Sequence, residues 1–170
     1  MCGRCQRESL IHTISPIFDE DSKILILGTF PSAASRGQGF PYGHPQNRFW
    51  QLIAKLMRAA AVPETIEEKR SFLLQNKIAL WDVIERCDIV GSSDSSIRNV
   101  VPNDIAGLLK NAKSIGAIYA NGASAARLYE RYSYPSTGVP IRRLPSTSPA
   151  NASYSLERLI KEWSVILERL

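Results

Sequence analysis

The chain has 170 residues, room for one domain whose core needs no metal or disulfide staple, and its 44% hydrophobic and 22% charged content is ordinary for a globular protein. It has no apolar run near the roughly 20 residues that cross a bilayer, and the opening "MCGRCQRESL" lacks a signal peptide's apolar centre, so an intracellular, cytoplasmic location is expected. The net charge of +5 is uneven, with no acid between Asp21 and Glu64 and six basic residues against two acidic ones in 101–150, a pattern that suits a polyanion if the two segments meet.

Residues 1–21 read as an N-terminal tail and lead-in, and 22–170 as a single α/β domain. Cys2 and Cys5 form a C-x-x-C, but a four-ligand site needs a second pair and only Cys87 remains, so no metal site is expected. "KILILG" (Lys23–Gly28) is a short, nearly continuous apolar run ended by glycine, which fits a strand buried on both faces of a parallel sheet. From Asn47, "NRFWQLIAKLMRAA" places Phe49, Trp50, Ile53, Leu56, Met57 and Ala60 on one helical stripe. "PETIEEKRSFLLQ" opens with Pro and acids and collects its bases later, as the helix dipole favours. A second strand is expected in "KIALWDVI" (Lys77–Ile84), a loop in 91–104, and a third strand in "IGAIYANG" (Ile115–Gly122). A helix in Ala123–Tyr132 follows, then a strand in "VPIRRLPS" (Val139–Ser146). The last helix buries Leu156, Leu159, Ile160, Trp163, Ile166 and Leu167.

Strands alternating with helices predict a three-layer α/β/α domain with a central, mainly parallel sheet of about four strands. In such folds ligands bind beyond the carboxyl ends of the strands. "GTFPS" (Gly28–Ser32), "WDV" (Trp81–Val83), "NG" (Asn121–Gly122) and "LPSTSPAN" (Leu144–Asn151) should therefore converge on one cleft. There is no phosphate-loop motif, dinucleotide fingerprint or nucleophile elbow, and only His12 and His44 exist to serve a triad. The converging segments offer uncharged hydrogen bonders, small residues and rings, which suit a flat neutral group such as a nucleobase. Ser and Thr near a helix start would suit a phosphate.

The stretch "GTFPSAASRGQGFPYGHPQNRFW" resembles the first motif region of the uracil-DNA glycosylase superfamily, especially its mismatch-specific uracil/thymine branch, and "LPSTSPAN" stands where that superfamily has its Pro-Ser minor-groove loop. Together they look most like the hypoxanthine-DNA (deoxyinosine) glycosylase family, over roughly residues 22–165. The resemblance implies hydrolysis of an N-glycosidic bond in DNA, removal of a deaminated base (hypoxanthine, then uracil or xanthine), no cofactor, no obligate protein partner, a monomer, and association with the nucleoid. No Lys stands in the motifs, so a monofunctional enzyme without a Schiff base is implied. Where the mismatch-specific branch has a water-positioning Asn, this chain has Phe30, so catalysis passes by resemblance to Asn47. A catalytically silent binding module of the same fold is the alternative.

Each candidate has a plainer reading beside it. Asn47 either positions water or caps the helix that follows. Tyr42 stacks on the flipped base or is a rim aromatic. Thr29 and Phe30 are expected beside the base, Phe30 as an apolar wall or a loop filler. His44 donates to base or sugar or is structural, and Asp82 reads a base edge or is a buried turn residue. Phe49 and Trp50 read as core, and Asn121 as a turn former that faces the cleft at most secondarily. Ser32, Ser146, Thr147 and Ser148 are expected on phosphates, Arg142 and Arg143 on the DNA backbone or one of them only solvated, and Leu144 or a neighbour as the wedge that fills the vacated stack.

Overall fold

The computed structural model describes residues 7–170; Cys2 and Cys5 lie outside them. Its elements are β1 (Arg7–Ile11), β2 (Ile24–Gly28), α1 (Ala33–Gln38), α2 (Phe49–Leu56), α3 (Ile66–Gln75), β3 (Ile78–Asp82), β4 (Ile84–Val90), β5 (Arg98–Pro102), α4 (Ile105–Asn111), β6 (Ala117–Asn121), α5 (Ala123–Tyr132), α6 (Tyr134–Thr137), β7 (Ile141–Leu144) and α7 (Leu156–Trp163). Short 3-10 turns cover Asp94–Ser96 and Ser164–Arg169.

The apolar run of β2 is buried at every residue because it is the inner strand of a parallel sheet ordered β3-β2-β6-β7. Its side chains alternate between two cores, as the two-residue period of a strand requires. Ile24 and Ile26 face α2, α3 and α7, where Phe49, Leu52, Ile53, Leu73, Leu159 and Trp163 are buried. Leu25 and Leu27 face the other core, with Leu108 of α4, Ala125 and Tyr129 of α5, and Ile84, Cys87 and Ile89 of β4. That is the expected three-layer arrangement, with a second sheet in one outer layer: β1-β4-β5, antiparallel throughout.

This second sheet departs from the sequence reading. "KIALWDVI" is two strands rather than one, since β3 ends at Asp82 and β4 starts at Ile84 in a different sheet. The 91–104 segment holds β5 rather than a loop; its polar residues face outward from a strand at a sheet edge, which weakens any apolar alternation. The lead-in also enters the fold: β1 pairs with β4, Ile17 bridges Leu80, and His12, Ile14 and Ile17 are buried. At the other end, α7 tightens into a 3-10 turn at Ser164; with about three residues per turn Ile166 follows Trp163 inside and Leu167 is left 45% exposed, against expectation. Helix α2 stops at Leu56, which puts Ala60 outside it. Among the described residues no helix is long and apolar enough to cross a membrane, and no group of His, Cys, Asp and Glu could hold a metal ion.

Candidate active site

Register sets the floor of the site. Gly28 and Asp82 are partners at the ends of β2 and β3, and Asn121 and Leu144 at the ends of β6 and β7. The segments beyond them line one cleft of about 1020 Å³ that takes in Gly28–Ser32, Tyr42, His44, Asn47, Asp82, Asn121 and Leu144–Asn151. The convergence expected from the strand ends is therefore present, with Asp82 as the contribution of "WDV".

The stretch Phe40–Trp50 folds as a cleft wall rather than a single core corner. Gly43 N–H donates to Ser35 Oγ (3.0 Å) and Phe40 N–H to Ser35 O (3.1 Å), tying the loop to the buried Ser35 of α1. Phe40, Phe49 and Trp50 are core, the last two as expected. Tyr42 stacks on Phe49, centroids 4.1 Å apart and planes at 22°, so its second ring face is the one available to a ligand. Tyr42 also sits at φ 55°, a left-handed conformation that a bulky residue adopts only when its surroundings impose it. His44 Nδ1 accepts from Gln46 N–H (3.2 Å), which holds the turn and leaves its other nitrogen for the cleft.

Asn47 is fixed by a directional chain. Asn121 Oδ1 accepts from Thr147 N–H (2.9 Å), so Asn121 Nδ2 must donate to Thr147 Oγ1 (2.9 Å). Thr147 Oγ1 then donates to Asn47 Oδ1 (2.8 Å), which also accepts from Phe49 N–H (3.0 Å). Both lone pairs of Asn47 Oδ1 are thus taken, and Nδ2 is the end left to face the cleft. The amide caps α2 from one residue before the helix cap position at Arg48 and lines the cleft as well. Thr147 is completely buried, so it is a link in this chain and not the phosphate contact expected of it. Asn121 carries as much of the arrangement as Asn47, and its position at the end of β6 was the only sequence signal.

The 145–154 loop is held from three sides. Arg48 donates through Nε to Thr147 O (3.3 Å), through Nη2 to Ser148 O (2.7 Å) and Asn151 O (3.0 Å), and through Nη1 to Tyr154 O. Trp163 Nε1 on α7 donates to Pro145 O (2.9 Å). Ser146 and Ser148 hydroxyls accept from Ser148 N–H and Ala150 N–H (both 3.2 Å), which leaves each O–H free to donate outward. Ser32 caps α1 by accepting from Ser35 N–H (3.2 Å) and lines the cleft. Leu144 is 3% exposed and packed in the core, so it cannot be the wedge; Pro149 and Ala150 form the exposed tip of its loop. Arg142 and Arg143 are neighbours on a strand and point to opposite faces: Arg143 lines the cleft and Arg142 lies near Tyr119 on the other side.

The cleft also holds carboxyls. Asp82 is 6% exposed, and its Oδ2 meets no donor. Burial, with the charge of Asp94 second, pushes its pKa up to about 7. Asp94, in the 3-10 turn after β4, is itself shifted up by burial, opposed by a Thr29 hydrogen bond and the charge of Arg127. Nothing in the "SSDSS" run (Ser92–Ser96) told it apart from a loop acid. Gly28 makes room for this corner: a Cβ there would lie 2.4 Å from Asp82 Oδ1 and 3.2 Å from Tyr42 Oη. Burial also raises the Tyr42 hydroxyl well above the usual phenol range, so it stays neutral. Phe30 is buried, edge-on to His12 at 5.5 Å and under the Arg36 guanidinium at 5.5 Å, and forms part of an apolar wall.

Comparison with known proteins fits this geometry. A family model described as the Uracil DNA glycosylase superfamily matches residues 15–168. A protein of Methanosarcina acetivorans named hypoxanthine DNA glycosylase is 35% identical over 150 residues, covering 88% of this chain and 93% of its own length. Its namesake in Methanosarcina barkeri is 30% identical over 154 residues, covering 91% of this chain and 96% of its own length. The solution NMR structure of a candidate uracil DNA glycosylase from Methanosarcina acetivorans superimposes with a TM-score of 0.78 at 34% identity, covering 91% of this chain and 94% of that one. By its sequence, its four-stranded parallel sheet and the cleft at the strand ends, the chain belongs to the Uracil DNA glycosylase superfamily and is a DNA glycosylase.

Proposed function

We propose that the protein excises a deaminated base from DNA, hypoxanthine in first place and uracil or xanthine after it, as a monomeric, monofunctional glycosylase. The names carried by its two Methanosarcina relatives support the choice of hypoxanthine. What carries the reading is that Tyr42 and Asn47 line one cleft together with Asp82 and Asn121.

 The two side chains come from one loop-to-helix stretch, and they close on the same opening that the strand ends form.

The chemistry follows from the groups present. The target nucleotide has to leave the stack before its glycosidic carbon can be reached. Its base then lies against the free face of Tyr42, with Phe30 and Thr29 beside it. Cleavage builds positive charge on the sugar and negative charge on the departing base. The DNA phosphates stabilise the first, and donors in the cleft stabilise the second. Asn47 holds the attacking water by its oxygen through Nδ2–H. It does not take the water's proton, because both lone pairs of Oδ1 are already engaged by Thr147 and Phe49. An oxocarbenium-like centre is electrophilic enough to be attacked by water that loses its proton afterwards. Among the described residues no lysine lines the cleft, which fits hydrolysis without a Schiff base. Ser32, Ser146, Ser148 and Arg143 hold the DNA backbone.

The test is incubation of the purified protein with duplexes that each carry one deoxyinosine, deoxyuridine or deoxyxanthosine, followed by alkali. Strand breaks at the modified position, fastest for deoxyinosine, are expected. Intact strands for all three would overturn the reading.

A further inference from the structure

The corner formed by Gly28, Tyr42 and Asp82 contains two buried polar atoms that have no partner, Asp82 Oδ2 and Tyr42 Oη. Both belong to residues that line the cleft. Gly28 lets the two side chains crowd together, since a Cβ at that position would meet both of them. An ionised carboxylate with a sealed, donorless oxygen is costly, whereas a neutral carboxyl carries its own donor. With Oδ2 sealed, the oxygen left to the cleft is Oδ1, and an O–H there is the complement of a ring carbonyl. Hypoxanthine, uracil and xanthine all carry one, where adenine carries an amino group.

We propose that Asp82 is the specificity-determining residue of the site and works as a neutral carboxylic acid, donating through Oδ1 to the carbonyl of the extruded base. This rests on the glycosylase reading above and deepens it. Ionised Asp82 would set a negative oxygen against the base carbonyl and against the negative charge that grows there as the bond breaks. Excision is therefore supported by the protonated form and lost as pH rises.

The groups around Asp82 determine where that loss falls. Burial is the main cause of its raised pKa of about 7, and the charge of Asp94 adds to it. Tyr42, from the loop before α2, stays neutral across the same range. His12, on the lead-in, has its pKa lowered by burial and donates from Nε2 to Ile84 O (2.7 Å), so it too is neutral there. His44 lines the cleft from the loop before α2, Arg127 acts on Asp94 from α5, Glu85 faces His12 from β4, and Arg36 of α1 stands over Phe30. Above the pKa of Asp82, the single-turnover rate should fall about tenfold per pH unit.

The experiment is single-turnover excision of deoxyinosine from duplex DNA across the neutral pH range, with the wild type, Asp82→Asn and Asp82→Leu. An amide keeps a donor and an acceptor without a titrating proton, so Asp82→Asn should lose the alkaline fall and overtake the wild type above it. Asp82→Leu leaves the base carbonyl unpaired and should be about a hundredfold slower than the wild type below the Asp82 pKa, with no alkaline fall of its own. The proposal is overturned if the alkaline fall persists in Asp82→Asn, or if that variant is inactive while the wild-type rate rises through neutrality, the behaviour of an ionised Asp82. Carbon NMR of aspartate-labelled wild-type protein reads the carboxyl without any variant: a midpoint near neutrality supports the proposal, and one in the ordinary carboxylate range overturns it. Failure of the wild type to excise any of the deaminated bases would instead strike the glycosylase reading, and it would show before a variant is made.

Discussion

Arg48 offers the most direct test of how the DNA-facing loop is built. Its guanidinium donates to four main-chain carbonyls of the 147–154 segment, and no carboxylate is bonded to it. Arg48→Met keeps the aliphatic stem and removes every one of those donors. A hydrogen bond from a charged group contributes about 1.5–3 kcal/mol net. The carbonyls are half-buried and water can recover some of them, so a loss equal to about two such bonds, roughly 3–6 kcal/mol, is expected. Arg48→Lys should recover less than half of it, because one ammonium cannot span the carbonyls that the planar fork reaches. Urea unfolding at fixed ionic strength gives the stability, and hydrogen exchange of the Ser146–Asn151 amides shows whether the loop opens ahead of the rest. Since the donors are consumed internally, the salt dependence of DNA binding should keep its slope in Arg48→Met, whereas Arg143→Met should lower it by about 0.9. A stability change under about 0.5 kcal/mol, or a salt slope that falls with Arg48→Met, would refute the assignment of Arg48 to the loop.

Substitutions at three other residues follow from the same geometry. Asn47→Ala should slow excision about a hundredfold, and Asn47→Asp should be no better, because it restores the bonds to Thr147 and Phe49 but not the N–H; an Asp variant faster than Ala in single-turnover assays would show that an acceptor was needed. Tyr42→Ala removes the stacking face and should weaken binding of a flipped-base duplex by about 1–3 kcal/mol in a titration, and unchanged affinity would exclude stacking. Asp82→Asn should also stabilise the fold. Below the ordinary value of 3.8 both states hold the Asp82 proton; as pH rises toward about 7 the unfolded chain ionises and the folded one does not, so the wild type loses stability over that window. The variant escapes a loss of at most about 4 kcal/mol, visible as a higher melting temperature at neutral pH and none at strongly acid pH.

The sequence by itself determined the central sheet. Three short apolar runs, one of them the unbroken "ILILG", and the shorter "IRRL" are long enough for strands and too short for helices, and the helical stripes between them impose parallel crossovers. It also determined which segments stand at the strand ends, and through them the cleft with Tyr42, Asn47 and Asp82 on its walls. The second sheet was not readable, because β5 is a short strand that opens on two exposed polar residues and whose backbone partners lie in β4, and β4 runs on from β3 with no turn signal beyond Val83. Only the tertiary structure decided the roles inside the cleft. Ser146, Thr147 and Ser148 are chemically near-equivalent in the chain, yet burial turns Thr147 into the link between Asn121 and Asn47 while its neighbours keep outward donors. Leu144 was misplaced for the same reason, since exposure depends on what packs across the sheet. The protonation of Asp82 is of that kind too. It comes from desolvation and from Asp94 twelve residues further along, neither of which has a signature in the local sequence.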